Sequence, residues 1–372
     1  MPEKYILMNP GPVVVDERVR QAACGPDMCH REPEFAELML RVAGKLTRVC
    51  GGGEDYASVI FTGSGTAALE AMLCSVVPAG GKLLVIDNGH YGERLAKIAA
   101  VHQIPHRVCS FGWAAPVDLA RIEKELAADP HITHLAMVHH ETSTGMLNPV
   151  GELGRLAASL GKSLMVDAIS SLGGEPLNVR EDHIDWCAGT SNKCLEGLPG
   201  ISFVCAPRQR LEELASVPPR SFYLNLYGQY AAMHHDGAPP FTPAIPAFLA
   251  LDAALDLLLA EGVAGRHARY AALAGQLRTG LEALGLRFLL PPEHRSATLT
   301  AVFLPDGMDY ARLHDRLKAC GFVIYAGQES LKQKVFRLAN MGRISATDIA
   351  RFLDELRRTL AEASIPEKGN TG

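Results

Sequence analysis

An excess of basic residues and paired cysteines are both missing from this sequence, and each absence argues against a class of function. Lys and Arg number 36 against 41 Asp and Glu, for a formal net charge of -5. Lys and Arg are also scattered along the chain, so the composition argues against nucleic acid or an anionic membrane surface as a partner. Its nine cysteines are odd in number and none stands in a C-x-x-C pair, which argues against a disulfide framework and a zinc site. We expect no bound metal.

Long apolar runs are also missing. Every apolar stretch is interrupted by Asp, Glu, Arg or Gly before it reaches the roughly 20 residues that span a bilayer. The start, "MPEKYILMNPGP", lacks a basic region followed by a long apolar stretch. We therefore expect a cytoplasmic protein whose partners are small molecules. With 372 residues, 48% of them hydrophobic, the chain can bury a core large enough for two domains.

Short apolar runs alternate with amphipathic segments between residues 56 and 205. Seven of these runs are predicted strands: "ASVIFT", "KLLVID", "HRVCSF", "HLAMVHH", "SLMVDAI", "DWCAGTS" and "GISFVCA". The alternation predicts an α/β domain with a mostly parallel seven-stranded sheet, in which ligands bind beyond the carboxyl ends of the strands. From residue 245 onward the mixture of predicted helices and strands indicates a smaller α+β domain. The predicted division is 1–244, including an N-terminal arm, and 245–372, and we expect the final "IPEKGNTG" to fray.

Two residues of opposite charge are predicted at the same edge of this sheet. Asp167 closes the run "SLMVD", and Lys193 lies in the turn "TSNKCLEG" between two predicted strands. Taken singly, Asp167 would be a turn or helix cap, and Lys193 a solvated surface charge. Together they supply what pyridoxal phosphate needs, an amine for its aldehyde and a carboxylate that keeps its pyridine nitrogen protonated.

A glycine-rich turn and an aromatic residue suit the same cofactor. In "FTGSGTAALEAML" a Gly-Ser-Gly-Thr turn joins a predicted strand to a helix, and backbone N–H groups at such a helix start bind phosphate. A nucleotide would fit the turn equally well. However, the spacing G-x-G-x-x-G is broken by Ala68 and no Walker lysine follows. Tyr91 in "NGHYGER" is either a surface tyrosine of an amphipathic helix or a ring that stacks on the cofactor.

Seven motifs occur in the order typical of a known family: "TGSGTAALE", "NGHYGER", "HHETSTGMLNP", "VDAISSLGG", "TSNKCLEGLPG", "PPFTPAIP" and "VFRLANMG". From Asn9 to about Ala361 the chain resembles the class V, fold type I, pyridoxal phosphate-dependent aminotransferases. Within that family it is most similar to those that act on 2-aminoethylphosphonate and pyruvate. The resemblance implies a transamination that gives phosphonoacetaldehyde and alanine, carried out by a homodimer with shared active sites.

The resemblance also implies a role for individual residues. Lys193 would be the Schiff-base lysine and the catalyst of the 1,3-proton shift, and Asp167 the partner of the pyridinium nitrogen. The further cofactor contacts that it implies are Ser64, Gly65 and Thr66 in the phosphate turn, Tyr91 on the ring, Thr142 and Ser143 near the ring hydroxyl, Ser191 and Asn192 near the phosphate, and Thr242 reaching the phosphate of the neighbouring subunit. A buried turn is the competing explanation for Thr142 and Ser143.

Two arginines are candidates for substrate binding. Arg337 in "VFRLANMG" matches the arginine that binds the acidic group of the substrate, and a guanidinium can hold a carboxylate or a phosphonate through two N–H groups. The alternative is a surface salt bridge. Arg31 lies in "DMCHREPEF", a stretch that departs from the pattern of the phosphonate transaminases. It is either a second anion contact or a cap of the helix that starts near Pro33.

Other functions stay open at this point. A transaminase of the same class could act on alanine or serine with glyoxylate. Cysteine desulfuration is disfavoured, because Asn192 rather than His precedes the lysine and we expect Cys194 to point elsewhere. A non-catalytic protein that binds the cofactor would retain the fold, but it would not require the anion-binding Arg337. A nicotinamide dehydrogenase is possible on composition alone.

Overall fold

The computed structural model describes residues 5–363, so the prediction for the final eight residues lies outside the described part of the chain. Through residue 234 the elements are β1 (Ile6–Leu7), α1 (Glu17–Ala22), α2 (Pro33–Val49), β2 (Tyr56–Thr62), α3 (Gly65–Val76), β3 (Lys82–Asp87), α4 (His90–Val101), β4 (His106–Ser110), α5 (Leu119–Ala128), β5 (Ile132–Val138), β6 (His140–Glu141), β7 (Met146–Leu147), α6 (Val150–Ser159), β8 (Ser163–Asp167), β9 (Trp186–Thr190), β10 (Ile201–Pro207), α7 (Arg208–Glu213) and α8 (Leu226–His234). The remaining elements are α9 (Ile245–Glu261), α10 (Val263–Ala283), β11 (Leu299–Phe303), α11 (Tyr310–Ala319), β12 (Phe322–Val323), β13 (Tyr325–Ala326), β14 (Val335–Ala339) and α12 (Ala346–Ala363).

A seven-stranded sheet forms the centre of the larger part of the molecule. Its strand order is β2-β10-β9-β8-β5-β3-β4, and all neighbours are parallel except that β10 runs antiparallel to both β2 and β9. Helices cover both faces, so the central strands are buried along their whole length and consist of continuous apolar runs. All seven predicted strands lie in this sheet, which confirms the predicted α/β fold with a mostly parallel sheet.

A smaller antiparallel sheet with the order β11-β14-β13 lies in the C-terminal part. The N-terminal segment joins this part as well, since β1 pairs in parallel with β12 and the Ala339 N–H donates to the Met8 carbonyl at 2.8 Å. Residues 6–8, which the predicted division assigned to the larger domain as an arm, thus pair with the smaller one. The reason is that the backbone N–H and C=O groups of an unpaired strand edge need partners, and β12 offers such an edge.

Helix α9 bears on where the two parts divide. It packs against α1 and α2, and its buried residues Phe248, Leu251 and Leu255 belong to the core under the large sheet. The division at residue 245 remains a prediction, and this packing favours a division after Glu261. Within residues 5–363 the structure has no helix with the length and apolarity needed to cross a bilayer.

Candidate functional site

Lys193 lies in the turn that connects β9 to β10, at the carboxyl edge of the large sheet. Its Nζ donates a hydrogen bond to the Pro10 carbonyl. A Cβ added to Gly11 would lie 2.9 Å from that Nζ, so the N-terminal segment closes one side of the lysine only because residue 11 has no side chain. The pKa of Lys193 is lowered to about 8, chiefly by burial and to a smaller extent by the positive charge of Arg337, against the opposing effects of Cys194 and Asp167. A substantial fraction of the amine is therefore neutral near pH 8.

Asp167 ends β8 in the middle of the same edge and is 4% exposed. One carboxylate oxygen accepts a hydrogen bond from the Ile169 N–H at 2.9 Å. The other accepts none from the described residues. Burial raises the pKa of Asp167 to about 6, whereas the Ile169 bond, Arg94 and Lys193 lower it. A buried carboxylate with a free oxygen fits a protonated ring nitrogen, which would supply the missing donor.

The start of α3 is open, as a phosphate site requires. Ser64 is the N-cap residue but makes no side-chain cap bond, and the N–H groups of Gly65 and Thr66 have no acceptor among the described residues. A Cβ added to Gly65 would lie 2.7 Å from Ile169 Cδ1, so this turn lies directly beside the loop that follows Asp167. The unpaired N–H groups of a helix start carry partial positive charge and fit a phosphate here.

The start of α4, which carries Tyr91, is by contrast fully satisfied from within the protein. The Tyr91 and Gly92 N–H groups donate to one carboxylate oxygen of Glu141 at 3.0 and 3.2 Å. The His90 N–H donates to Ser143 Oγ at 3.2 Å, and the Glu93 N–H to the Gly89 carbonyl at 3.0 Å. Of these two helix starts, only that of α3 is therefore available to an anion.

Arg94 is a further candidate residue of this site that was not singled out from the sequence. Its guanidinium carbon lies 4.6 Å from the centre of the Tyr91 ring, and its Nη1 lies 3.4 Å from Thr66 Oγ1. No carboxylate forms an ion pair with it within residues 5–363. The position three residues after Tyr91, on the same face of the helix, was the signal that could have identified it.

Arg337 lies in the centre of β14 and is 4% exposed. Its Nε donates to the Ala326 carbonyl at 2.8 Å, and its Nη1 to the Thr142 carbonyl at 2.9 Å and to Gln328 Oε1 at 3.3 Å. Nη2 has no acceptor, and no carboxylate pairs with the guanidinium, in the described part of the chain. The alternative of a surface salt bridge therefore does not describe this residue. A buried cation without a counter-ion fits an anionic ligand.

The turn between β6 and β7 holds both Thr142 and Ser143, and both are buried. The Ser143 hydroxyl donates to Glu141 at 2.5 Å, while the Thr142 carbonyl accepts from Arg337. This geometry agrees with the buried-turn explanation for Ser143. Contact of either side chain with the cofactor hydroxyl stays a prediction. Glu141 is 0% exposed and was not singled out from the sequence.

The residues next to Lys193 in sequence, Ser191, Asn192 and Cys194, each bond to a different part of the protein. The Ser191 hydroxyl donates to the Leu198 carbonyl at 2.5 Å, and Asn192 Oδ1 accepts from Thr190 at 3.2 Å. Roles for Ser191 and Asn192 near the phosphate therefore stay predictions. The thiol of Cys194 is buried and donates to the Ser170 carbonyl at 3.2 Å, and burial raises its pKa. It faces the protein interior, as expected from the sequence.

Arg31 and Thr242 are exposed and are not brought into contact with Lys193 or Asp167 within this subunit. The N-cap of α2 is Glu32 rather than Arg31, and it makes no side-chain cap bond. Thr242 lies two residues before Ala244, whose N–H donates to Thr62 Oγ1 at 3.1 Å. Their predicted contacts with the substrate and with a neighbouring subunit stay predictions.

Comparisons with known proteins agree with one another. The family model "Aminotransferase class-V" matches residues 22–352. A curated 2-aminoethylphosphonate–pyruvate transaminase of Salmonella paratyphi B is 38% identical over 361 residues, which are 96% of this chain and 98% of that protein. The solved alanine–glyoxylate aminotransferase from Nostoc sp. superposes with a TM-score of 0.90 at 29% identity, over 97% of this chain and 96% of that one. The pyridoxamine–pyruvate aminotransferase from Mesorhizobium loti gives 0.91 at 27% identity, over 98% and 95%.

Proposed function

The chain belongs to the class V aminotransferases and uses pyridoxal phosphate, and on that basis we propose that it transfers the amino group of 2-aminoethylphosphonate to pyruvate. The products are phosphonoacetaldehyde and alanine. The observation that carries this proposal is Arg337, a buried guanidinium with no acidic partner among the described residues and with Nη2 free. The similarity to curated 2-aminoethylphosphonate–pyruvate transaminases supports the choice of donor.

The chemical structure of the proposed donor determines what Arg337 must bind. The carbon of 2-aminoethylphosphonate that bears the amine has no carboxylate, so the distal phosphonate is the only anion by which the protein can orient it. Pyruvate carries a carboxylate instead. One guanidinium can bind both anions in turn, because the oxygens of a phosphonate and those of a carboxylate both accept hydrogen bonds from guanidinium N–H groups.

The remaining residues divide the chemistry among them. When bound, pyridoxal phosphate supplies the carbonyl that takes up the amino group and a ring that accepts electron density. Lys193 Nζ removes the proton from the amine-bearing carbon of the donor, and its lowered pKa keeps the amine able to accept that proton. Asp167 would accept a hydrogen bond from the ring nitrogen with its second carboxylate oxygen and so keep that nitrogen protonated. Gly65 and Thr66 offer their free N–H groups to the phosphate.

We also propose that the enzyme acts as a homodimer in the cytoplasm, with Thr242 contributing to the neighbouring active site. Phe222 is 88% exposed, Tyr223 is also exposed, and the rings of both lie within 6 Å of Phe241, the residue before Thr242. An exposed aromatic cluster of this kind is typical of a subunit contact.

A second candidate is transamination between alanine or serine and glyoxylate. The superposition on the alanine–glyoxylate aminotransferase favours it, and Arg337 could bind an α-carboxylate as well as a phosphonate.

A series of donors separates the two candidates. The purified holoenzyme is mixed without any acceptor with 2-aminoethylphosphonate, β-alanine, ethylamine, L-alanine or L-serine, and the loss of visible cofactor absorbance is followed. We expect the phosphonate to react fastest, β-alanine more slowly and ethylamine least, with phosphonoacetaldehyde identified by ³¹P NMR. Rapid reaction with L-alanine or L-serine, and none with the phosphonate, would establish the second candidate instead.

A further inference from the structure

Glu141 occupies a position normally filled by a helix cap. The N-cap residue of α4 is Gly89, which has no side chain to bond the first N–H groups. The carboxylate of Glu141, 50 residues away along the chain, accepts from Tyr91 and Gly92 in its place. A Cβ at Gly89 would lie 2.5 Å from Glu141 Cγ. The carboxylate therefore fits against the helix start only because residue 89 is glycine.

The second oxygen of Glu141 is held equally firmly. It accepts from the Ser143 N–H at 3.1 Å and from the Ser143 hydroxyl at 2.5 Å, and that hydroxyl in turn accepts from the His90 N–H. Glu141 thus has four donors and is 0% exposed. Burial raises its pKa to about 7, while these hydrogen bonds lower it. Both carboxylate oxygens are therefore held by hydrogen bonds from within the protein.

The same short turn also contacts the other end of the site. The carbonyl of Thr142, next in sequence to Glu141, accepts the Nη1 hydrogen bond of Arg337 at 2.9 Å. The negative charge of Glu141 also raises the pKa of Arg337, against the effect of burial. Two adjacent residues therefore connect the helix start that carries Tyr91 to the guanidinium that faces the substrate.

We infer that Glu141 is a positioning residue, which fixes Tyr91 and Arg337 relative to each other and so couples the orientation of the cofactor ring to the binding of the substrate anion. This inference deepens the proposed function, since it rests on Tyr91 facing the ring and Arg337 facing the anion. It does not depend on which amine is the donor.

The test compares the wild-type holoenzyme with Glu141→Gln. The amide retains one acceptor but places an NH₂ group against N–H donors, so it cannot bond both Ser143 and the start of α4. We expect an altered visible circular dichroism of the bound cofactor without any substrate present. We also expect KM for donor and acceptor to rise by roughly tenfold, as the loss of one to two hydrogen bonds would produce. An unchanged spectrum with unchanged KM values would overturn the inference.

Glu175→Gln is the matched control. Glu175 is also buried, burial also raises its pKa to about 7, and it also accepts from a backbone N–H and a hydroxyl, those of Ala297 and Thr298. It bonds to neither Tyr91 nor Arg337. We expect this variant to lower the thermal midpoint but to leave the visible circular dichroism and KM as in the wild type. The same spectral and kinetic changes in both variants would show a general effect of losing a buried carboxylate, and would overturn the inference.

Ser143→Ala covers the case in which Glu141→Gln does not fold. It removes one donor to Glu141 and the acceptor of the His90 N–H, and retains the carboxylate. We expect a smaller change in the same direction, in both the spectrum and KM. A wild-type spectrum and wild-type KM in this variant would also contradict the inference. Failure of the proposed donor would appear separately, as absent turnover of 2-aminoethylphosphonate in the wild type.

Discussion

Replacing Arg337 with Ala is the most direct test of how this site binds its substrates. The side chain uses three of its five N–H groups on Ala326, Thr142 and Gln328, and the two on Nη2 remain for a ligand. An anion that bound to Nη1 and Nη2 together would have to displace Gln328 Oε1 from Nη1, and this is the longest of the three hydrogen bonds of Arg337, at 3.3 Å. The anion is therefore expected to bind principally through Nη2.

The size of the effect follows from this count. A hydrogen bond to a charged group contributes about 1.5 kcal/mol or more, so two of them contribute about 3 kcal/mol. That loss corresponds to roughly a 10²-fold change in kcat/KM. Because the contact is made to both substrates, we expect KM to rise for 2-aminoethylphosphonate and for pyruvate alike, while the visible absorbance of the bound cofactor is retained.

Two variants and one substrate serve as controls. Arg337→Lys keeps a charge but cannot serve Ala326 and Thr142 at once, so its KM should lie between those of the wild type and Arg337→Ala. Gln328→Ala removes only the longest contact and should change KM little. Ethylamine has no anion, and its slow reaction should be unaffected by Arg337→Ala. An equal loss for ethylamine and for the phosphonate would mean that the substitution disrupts the fold, and unchanged kinetics for both would refute the role of Arg337.

Three further predictions concern the lysine edge of the sheet. Burial lowers the pKa of Lys193 from 10.5 to about 8, so the neutral fraction of its amine should rise about tenfold from pH 7 to pH 9 and then level off. The rate at which the apoprotein takes up pyridoxal phosphate, measured by absorbance, should follow the same curve. A rate that still rose above pH 10 would contradict the lowered pKa. Asp167→Asn removes the carboxylate proposed to face the ring nitrogen. We expect kcat to fall by roughly 100-fold, the lower end of what a positioned acid–base group contributes, while the absorbance of the bound cofactor is retained. A wild-type kcat would exclude this role. Cys194→Ser changes a thiol that faces the Ser170 carbonyl, so kcat should be unchanged and no sulfide should form from cysteine with either protein; sulfide release by the wild type alone would point to desulfuration.

Most of the fold was predictable from the sequence because local patterns carry it. All seven strands of the large sheet read as apolar runs separated by amphipathic helices, and the helix after the Gly-Ser-Gly-Thr turn was predicted within a few residues of α3. Strand β1 was not predicted, because two residues have no periodicity of their own. It forms by pairing with β12, which lies more than 300 residues away in the chain.

The residues of the candidate site that lie directly at the end of a strand could be predicted from the sequence. Asp167 closes a strand and Lys193 follows one, and neighbouring strands of a sheet bring their ends together. Arg94 and Glu141 were missed for different reasons. The helix spacing from Tyr91 could have indicated Arg94. Nothing local marks Glu141, whose partners lie about 50 residues earlier in the chain.

The sequence by itself thus determined the type of fold, the amine and carboxylate at one sheet edge, and the glycine-rich turn that begins a helix at the same edge. Only the tertiary structure decided that the start of α4 is closed by Glu141, that Pro10 meets Lys193, and that Arg337 is buried without an acidic partner among the described residues. The physical reason is separation along the chain. Periodicity and turn chemistry act over a few residues, whereas the contacts of Arg337 with Thr142 and of Lys193 with Pro10 join segments 195 and 183 residues apart, which only packing brings together.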